Sequence, residues 1–186
     1  MKKKGNILHP AIVSFLLLTL ICGVLYPSVI TGIAGMLFPK QANGSIITVT
    51  LRDGTIKEYG SSLIAQEFTA RKYLVGRPSN PANLSPVSEA YKKIVEDRVL
   101  WWHTLDPLNT KEIPADLIAT SGSGVDPHIS PEAAEYQVTR IAKERKISEE
   151  SVRSIIQRYT TGRLLGIWGE PAVNVLKVNL ALDGLL

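Results

Sequence analysis

The residues with the widest chemical reach lie in one run, Thr120-Ser121-Gly122-Ser123-Gly124-Val125-Asp126-Pro127-His128-Ile129-Ser130-Pro131. Glycines in Ser121-Gly122-Ser123-Gly124 let backbone amides approach an anion, and a helix is expected soon afterwards, which together suit a phosphate. Against a self-sufficient nucleotide site stand three facts: no Gly-Lys-Ser/Thr of a P-loop is present, no basic side chain lies between Thr120 and Arg140, and Asp126, Glu132 and Glu135 would repel phosphates. The run therefore reads first as a turn feeding a helix. Ser121 or Ser123 with His128 and Asp126 holds the ingredients of a hydrolase triad, but that arrangement is spatial, and there is no G-x-S-x-G elbow. No residue is assigned as catalytic. Asp126 and His128, with His9 and His103 as the other histidines, do not make up a metal-binding pattern, and no metal ligand is assigned.

Gln137 stands apart. It falls three residues after Ala134 and four before Ile141, on the otherwise apolar stripe of the expected helix. A buried carboxamide needs partners. Either it ties down a loop backbone, the Ser-Gly-Ser-Gly run being a candidate, or it contacts a ligand or another subunit.

The elements that must position these residues follow from local signals. Ser130 can cap a helix whose first residue is Pro131, where the missing donor is harmless. That helix is expected to reach Lys146, burying Ala134, Val138, Ile141 and Ala142. Another follows, capped by Ser148, acidic at Glu149 and Glu150, and closed by Gly162. Upstream, Ile46 to Leu51 reads as a strand, Asp53-Gly54 as a hairpin turn and Ile56 to Tyr59 as the return. A helix is expected from Ser61 or Ser62 to about Ala70, a loop from Tyr73 to Pro86, and a helix from Ser88 and Glu89 that stops before Pro107. Val173 to Leu182 alternates, with Leu176, Val178, Leu180 and Leu182 on one side, as a half-buried strand would. Strands at both ends of a helical middle predict a single α+β domain over residues 45–186.

Ahead of that domain, Gly5 to Pro39 carries no Lys, Arg, Asp or Glu. A hydrocarbon core of about 30 Å needs roughly 20 helical residues, so 7–30 is expected to be a transmembrane helix, with 1–6 a cytoplasmic basic tail and 31–44 an interfacial segment and linker. Lys2, Lys3 and Lys4 hold the short flank in the cytoplasm and predict an outward-facing domain. A cleaved signal peptide is the alternative, but the apolar run exceeds the roughly 7–15 residues of a signal core. Pro27 with Gly23, Gly32 and Gly35 marks where the span should end or bend. Thr19-x-x-x-Gly23 is a spacing that would let another helix come close, a candidate subunit contact.

The formal charge of the 186 residues is +4. Past residue 39 the balance is 18 basic, 21 less the three leading lysines, against 17 acidic. Nothing there offers the cationic field that nucleic acid requires. The one cysteine, Cys22, lies inside the expected span.

Ala119 to Ala134, then Gln137 and Arg140, closely resembles the C subunit of the bacterial potassium-transporting P-type ATPase, the KdpC family of the Kdp complex. Further pieces agree in order: Gly60-Ser-Ser-Leu-Ile64, Gly76-Arg-Pro-Ser79, Asp97-Arg98, Thr161-Gly-Arg163, Gly169-Glu-Pro171, Val173-Asn-Val-Leu176 and Asn179-Leu-Ala-Leu-Asp183. Between Ser79 and Ser88 the chain departs from the family's longer Ser/Gly/Asn-rich passage, having Asn83-Leu84-Ser85-Pro86. The resemblance implies a noncatalytic accessory subunit in the bacterial cell membrane, working with a channel-like potassium subunit and an ATP-hydrolysing subunit in a high-affinity uptake pump. It further implies a catalytic chaperone that raises the nucleotide affinity of the hydrolysing subunit, with ATP as the nucleotide and Gln137, Ser121, Gly122, Ser123 and Gly124 linked to that role. An outward domain cannot touch cytoplasmic ATP, so the effect would have to be transmitted through the membrane subunits. A subunit binding nucleotide directly is the second function class, and an extracytoplasmic hydrolase the third.

Overall fold

The computed structural model describes residues 7–79 and 84–186; the expected tail 1–6 and Asn83 of the altered loop lie outside the described residues. Two units, residues 1–46 and 47–186, are distinguished.

The first unit is one continuous apolar helical run, Leu8–Leu37, long and apolar enough to cross a membrane. It comprises α1 (Leu8–Leu20), a π-helical turn Ile21–Leu25 and α2 (Tyr26–Leu37), followed by the single turn α3 (Pro39–Ala42). Pro27 does not end the helix. The turn before it is widened, the Tyr26 N–H reaching back to the Ile21 carbonyl, which accommodates a ring that would otherwise clash with the preceding α-helical turn. None of the residues of α1 or α2 is buried.

The second unit opens with a hairpin of β1 (Ile46–Thr50) and β2 (Ile56–Ser61). As expected, Asp53-Gly54 makes the turn: Gly54 N–H donates to the Leu51 carbonyl (2.9 Å) and Thr55 N–H to the Asp53 carboxylate (2.9 Å). The helix expected from Ser61 or Ser62 to Ala70 is absent. Ala65 N–H donates to the Val125 carbonyl (2.8 Å), a tertiary partner for a donor that a helix would have used, and the Gln66 side chain donates from Nε2 to the Tyr59 carbonyl (2.9 Å).

Five helices and a small sheet then build the core. Three of the expected N-caps are present: Ser88 starts α4 (Glu89–Leu105), Ser130 starts α5 (Pro131–Glu135) and Ser148 starts α7 (Glu149–Arg158), each accepting a first-turn N–H, although α7 ends at Arg158, short of Gly162. The helix expected over 131–146 is interrupted at Tyr136 and Gln137, and α6 runs Val138–Arg145. Its break has a local cause: Gln137 Nε2 takes the Ala133 carbonyl (3.1 Å) that its own backbone N–H would use in an α-helix, and that N–H bonds instead to Ala134 (3.1 Å). Arg145 is followed by Lys146 in the left-handed region, φ 57°.

The strand expected over Val173–Leu182 is also corrected. Only β5 (Ala172–Asn174) is extended, lying between β3 (His128–Ile129) and β4 (Thr160–Thr161) with both pairings antiparallel. Asn174 then caps α8 (Val175–Leu182) through the Lys177 N–H. Val175, Leu176, Val178, Asn179 and Leu180 are all buried. A helix surrounded on most sides shows no single stripe, and its apolar residues satisfy a period of two equally well. Leu74, Trp102, Leu117, Ile141, Val152 and Val173 form the centre of the core.

Candidate functional site

The polar residue singled out on α6's approach is wholly enclosed: Gln137 has no exposed surface. Its carboxamide is used at both ends. Oε1 accepts from Val75 N–H (2.8 Å) and from Arg140 Nη2 (2.7 Å), while Nε2 donates to the carbonyls of Val75 (2.9 Å) and Ala133 (3.1 Å). The loop it ties down is therefore the segment at Val75, not the Ser-Gly-Ser-Gly run. One residue earlier, Asn179 does the same: Leu74 N–H donates to Oδ1 (2.7 Å) and Nδ2 donates to the Leu74 carbonyl (2.8 Å). Two carboxamides thus act as a strand would, pairing the backbone of a segment that belongs to no sheet.

Arginines complete this seam. Arg140 donates to the carbonyls of Tyr73 (3.1 Å) and Arg71, and stands 5.9 Å from the ring of Trp102. Burial pulls its guanidinium down to about 10, Asp106 opposing. Arg145 donates to the Lys72 carbonyl (2.7 Å), the Leu182 carbonyl (2.6 Å) and Asp183 (2.8 Å). From Arg71 to Val75 the backbone is held by side chains of α8, α6 and Gln137.

The loop Ser121-Gly122-Ser123-Gly124 curls on itself. Gly124 N–H reaches the Ser121 hydroxyl (3.0 Å) and carbonyl (3.1 Å), and Val125 N–H reaches the Ser123 hydroxyl (3.3 Å). Gly124 is buried at φ 70°, a conformation natural only to glycine. Strand β3 separates this loop from α5, whose Ala133 N–H is taken by the Ser130 hydroxyl (3.2 Å), so loop and helix do not form one phosphate cradle. The triad ingredients are not assembled either. His128 Nδ1 lies 3.4 Å from Asp126 and Nε2 lies 3.3 Å from Asn174 Nδ2; neither serine hydroxyl is among its partners. Thr19 and Gly23 sit on the exposed surface of the apolar helix, and His9 and His103 belong to α1 and α4.

What the sequence reading missed is the company this loop keeps. Gly124 and Val125 form one wall of a cleft of about 380 Å³ whose other walls include Arg77, Arg98, Trp101 and Phe68. Arg77 Nη1 pairs with Asp116 (2.9 Å), which also accepts from the Ser130 N–H (2.7 Å), and Arg98 Nη1 donates to the Ile118 carbonyl (2.7 Å). Partial burial lowers the Arg98 guanidinium. No basic side chain lies near the loop in sequence, yet two line the same cleft as its last glycine. The signal was present in Gly76-Arg-Pro-Ser79 and Asp97-Arg98, both among the matching family pieces.

A bilayer-length apolar helix followed by one α+β body, with Gln137 and Asn179 committed to its own backbone, fits one class: a membrane protein with one candidate span among the described residues. The chain belongs to the KdpC family, described as the c chain of K+-transporting ATPase, whose profile matches residues 8–184. It is 55% identical over 188 residues to the potassium-transporting ATPase KdpC subunit of Listeria monocytogenes serovar 1/2a, covering 100% of this chain and 99% of that one. Identity to the KdpC subunit of Listeria innocua serovar 6a is also 55%, with the same coverage. The KdpC subunit of Clostridium perfringens is 50% identical over 200 residues, covering 97% of this chain and 98% of the relative.

Proposed function

We propose that this chain is a noncatalytic accessory subunit of an ATP-driven, high-affinity potassium uptake pump. It assembles with a channel-like potassium subunit and an ATP-hydrolysing subunit and raises the nucleotide affinity of the latter from a distance. The family match along nearly the whole chain carries this reading. Three leading lysines favour a cytoplasmic N-terminus and an outward body, which leaves ATP on the opposite side. The state of Gln137 supports a transmitted effect, because a nucleotide could bond to that carboxamide only by displacing Val75, Ala133 or Arg140. Such a coupling acts through two states of the assembly.

The test is the pump purified with and without this chain. Loss of potassium-limited growth on deletion, together with a raised KM for ATP in any residual complex, is the expected result. Unchanged uptake and unchanged KM would remove the proposal.

One observation favours a second reading, a nucleotide bound directly: the cleft beside Gly124 carries two arginines and an exposed tryptophan, groups that suit an anionic ligand with an aromatic ring. Equilibrium binding of ATP to the full chain in detergent decides between the two. Saturable binding that Arg98→Ala abolishes would establish the direct route.

A further inference from the structure

One feature of the body is left unused by the pump reading. Every residue from Thr161 to Glu170 is exposed, yet this stretch contains Leu164, Leu165, Ile167 and Trp168, exposed by 67%, 78%, 73% and 63%. The stretch is not loose coil. Leu164 and Trp168 face each other across an antiparallel bridge, with Leu164 N–H donating to the Trp168 carbonyl (2.7 Å) and Trp168 N–H to the Leu164 carbonyl (3.0 Å). Gly166 at φ 76° and Leu165 at φ 53° turn the tip. Behind it Arg163 and Glu170 pair at 3.0 Å, so the projection is apolar in front and electrically neutral at its base.

We propose that the hairpin tip Leu164–Trp168 is a wedge that enters the lipid interface, with Leu165 and Ile167 in the acyl region and Trp168 at headgroup level. The composition fits: aliphatic side chains favour the acyl boundary, and the amphipathic indole favours the headgroups. Connectivity keeps lipid within reach. The apolar helix ends at Leu37 and the body's first strand starts at Ile46; residues 38–45 span about 28 Å at most when fully extended, at ~3.5 Å per residue. A domain of this length is wider than that, so lipid is within reach of its surface whichever way the chain is oriented. A protein partner is less well served by this shape. Stable interfaces take about 800 Å² from each side, some 20–30 residues, and a five-residue convex tip offers a fraction of that. A bilayer needs no matching surface.

The experiment uses the full chain in vesicles of phosphatidylcholine brominated along the acyl chains. Trp168 fluorescence is isolated as the difference between the wild-type chain and Trp168→Phe, leaving Trp101 and Trp102 as common background. The expected result is a Trp168 signal reduced by roughly a half, most strongly by the bromines placed nearest the headgroups, and shielded from aqueous iodide. Leu165→Ser with Ile167→Ser, both on exposed positions, should restore the signal and iodide access with an unchanged far-UV spectrum. A Trp168 open to iodide and indifferent to bromolipid overturns the proposal. So does a Trp168 shielded only in the assembled pump and not in lipid alone, which would make the tip a protein contact.

Discussion

Gln137 presents both a donor and an acceptor to Val75, and Asn179 repeats the pattern at Leu74. A carboxamide has the same pair of groups as a peptide unit, so each substitutes for one residue of a missing strand. Truncating Gln137 to Ala leaves the half-buried Val75 N–H and C=O and the Ala133 carbonyl without this partner, and Arg140 Nη2 without its acceptor. At about 1–3 kcal/mol for each buried group left unpaired, Gln137→Ala should destabilise the body by about 3 kcal/mol or more, read as a lower midpoint in urea. An unchanged midpoint would mean that this side chain is free for other work, and a change in pump nucleotide affinity could then be assigned to it. Two glycines give a sharper contrast. A methyl on Gly122 meets nothing within 4 Å, whereas Gly124 sits at φ 70°. Gly122→Ala should leave stability unchanged, and Gly124→Ala should cost about 1–2 kcal/mol. If the loop amides grip a phosphate, Gly122→Ala would instead weaken ATP binding without touching the melting temperature. That Gln137 would be buried and partnered was legible from its place on an apolar stripe. Its partner was not, because Val75 lies far away in sequence. The same distance hid Arg77 and Arg98 from the loop they flank.

At the scale of elements, what could be read in advance was what neighbours in sequence decide. Ser88, Ser130 and Ser148 cap because a hydroxyl and a free amide three residues on meet without help from the rest of the chain. The segment 62–70 and α8 failed for the opposite reason: Val125 claims Ala65, and α8 is enclosed nearly all round, so its periodicity carries no information. The apolar helix also exceeds expectation. Thirty residues, Leu8–Leu37, make about 45 Å at 1.5 Å per residue, against a hydrocarbon core of about 30 Å, which calls for tilt or for ends that project into the headgroups. Between α6 and α7 lies a polar clamp: Thr139 donates to Glu149 (2.8 Å), and Arg153 pairs with both Glu149 (2.8 Å) and Glu135 (2.7 Å). The Thr139 hydroxyl, then Arg153, holds Glu149 below its usual 4.5. As pH falls through that value the unfolded chain takes up the proton first, so stability is full above it and declines towards the lower folded value. The clamp is exposed, and its contribution is correspondingly modest. Glu149→Gln should flatten part of the fall in melting temperature below about pH 5, and an identical slope in the variant would show that the clamp plays no part.

For the whole molecule the decisive quantity is the side of the membrane on which the body stands, because it separates a transmitted effect on ATP from a direct one. The charge pattern is as asymmetric as so short a flank allows: three lysines before the apolar run, and the first basic residue after it at Lys40. Short basic flanks stay inside, while a long domain translocates largely regardless of its own charge. The near-balance of 18 basic and 17 acidic side chains past residue 39 therefore does not oppose export. Cys22, the one cysteine, makes the question easy to put. With Cys22→Ser as background, Ser154→Cys places a thiol on the exposed surface of α7, and Lys4→Cys places one on the other flank. A membrane-impermeant maleimide should label the Ser154→Cys chain in intact cells and the Lys4→Cys chain only after lysis. The reverse pattern would set the cleft beside Gly124 in the cytoplasm. Arg77 and Arg98 would then face the compartment that holds ATP, and coupling across the membrane would no longer be needed to explain an effect on its affinity.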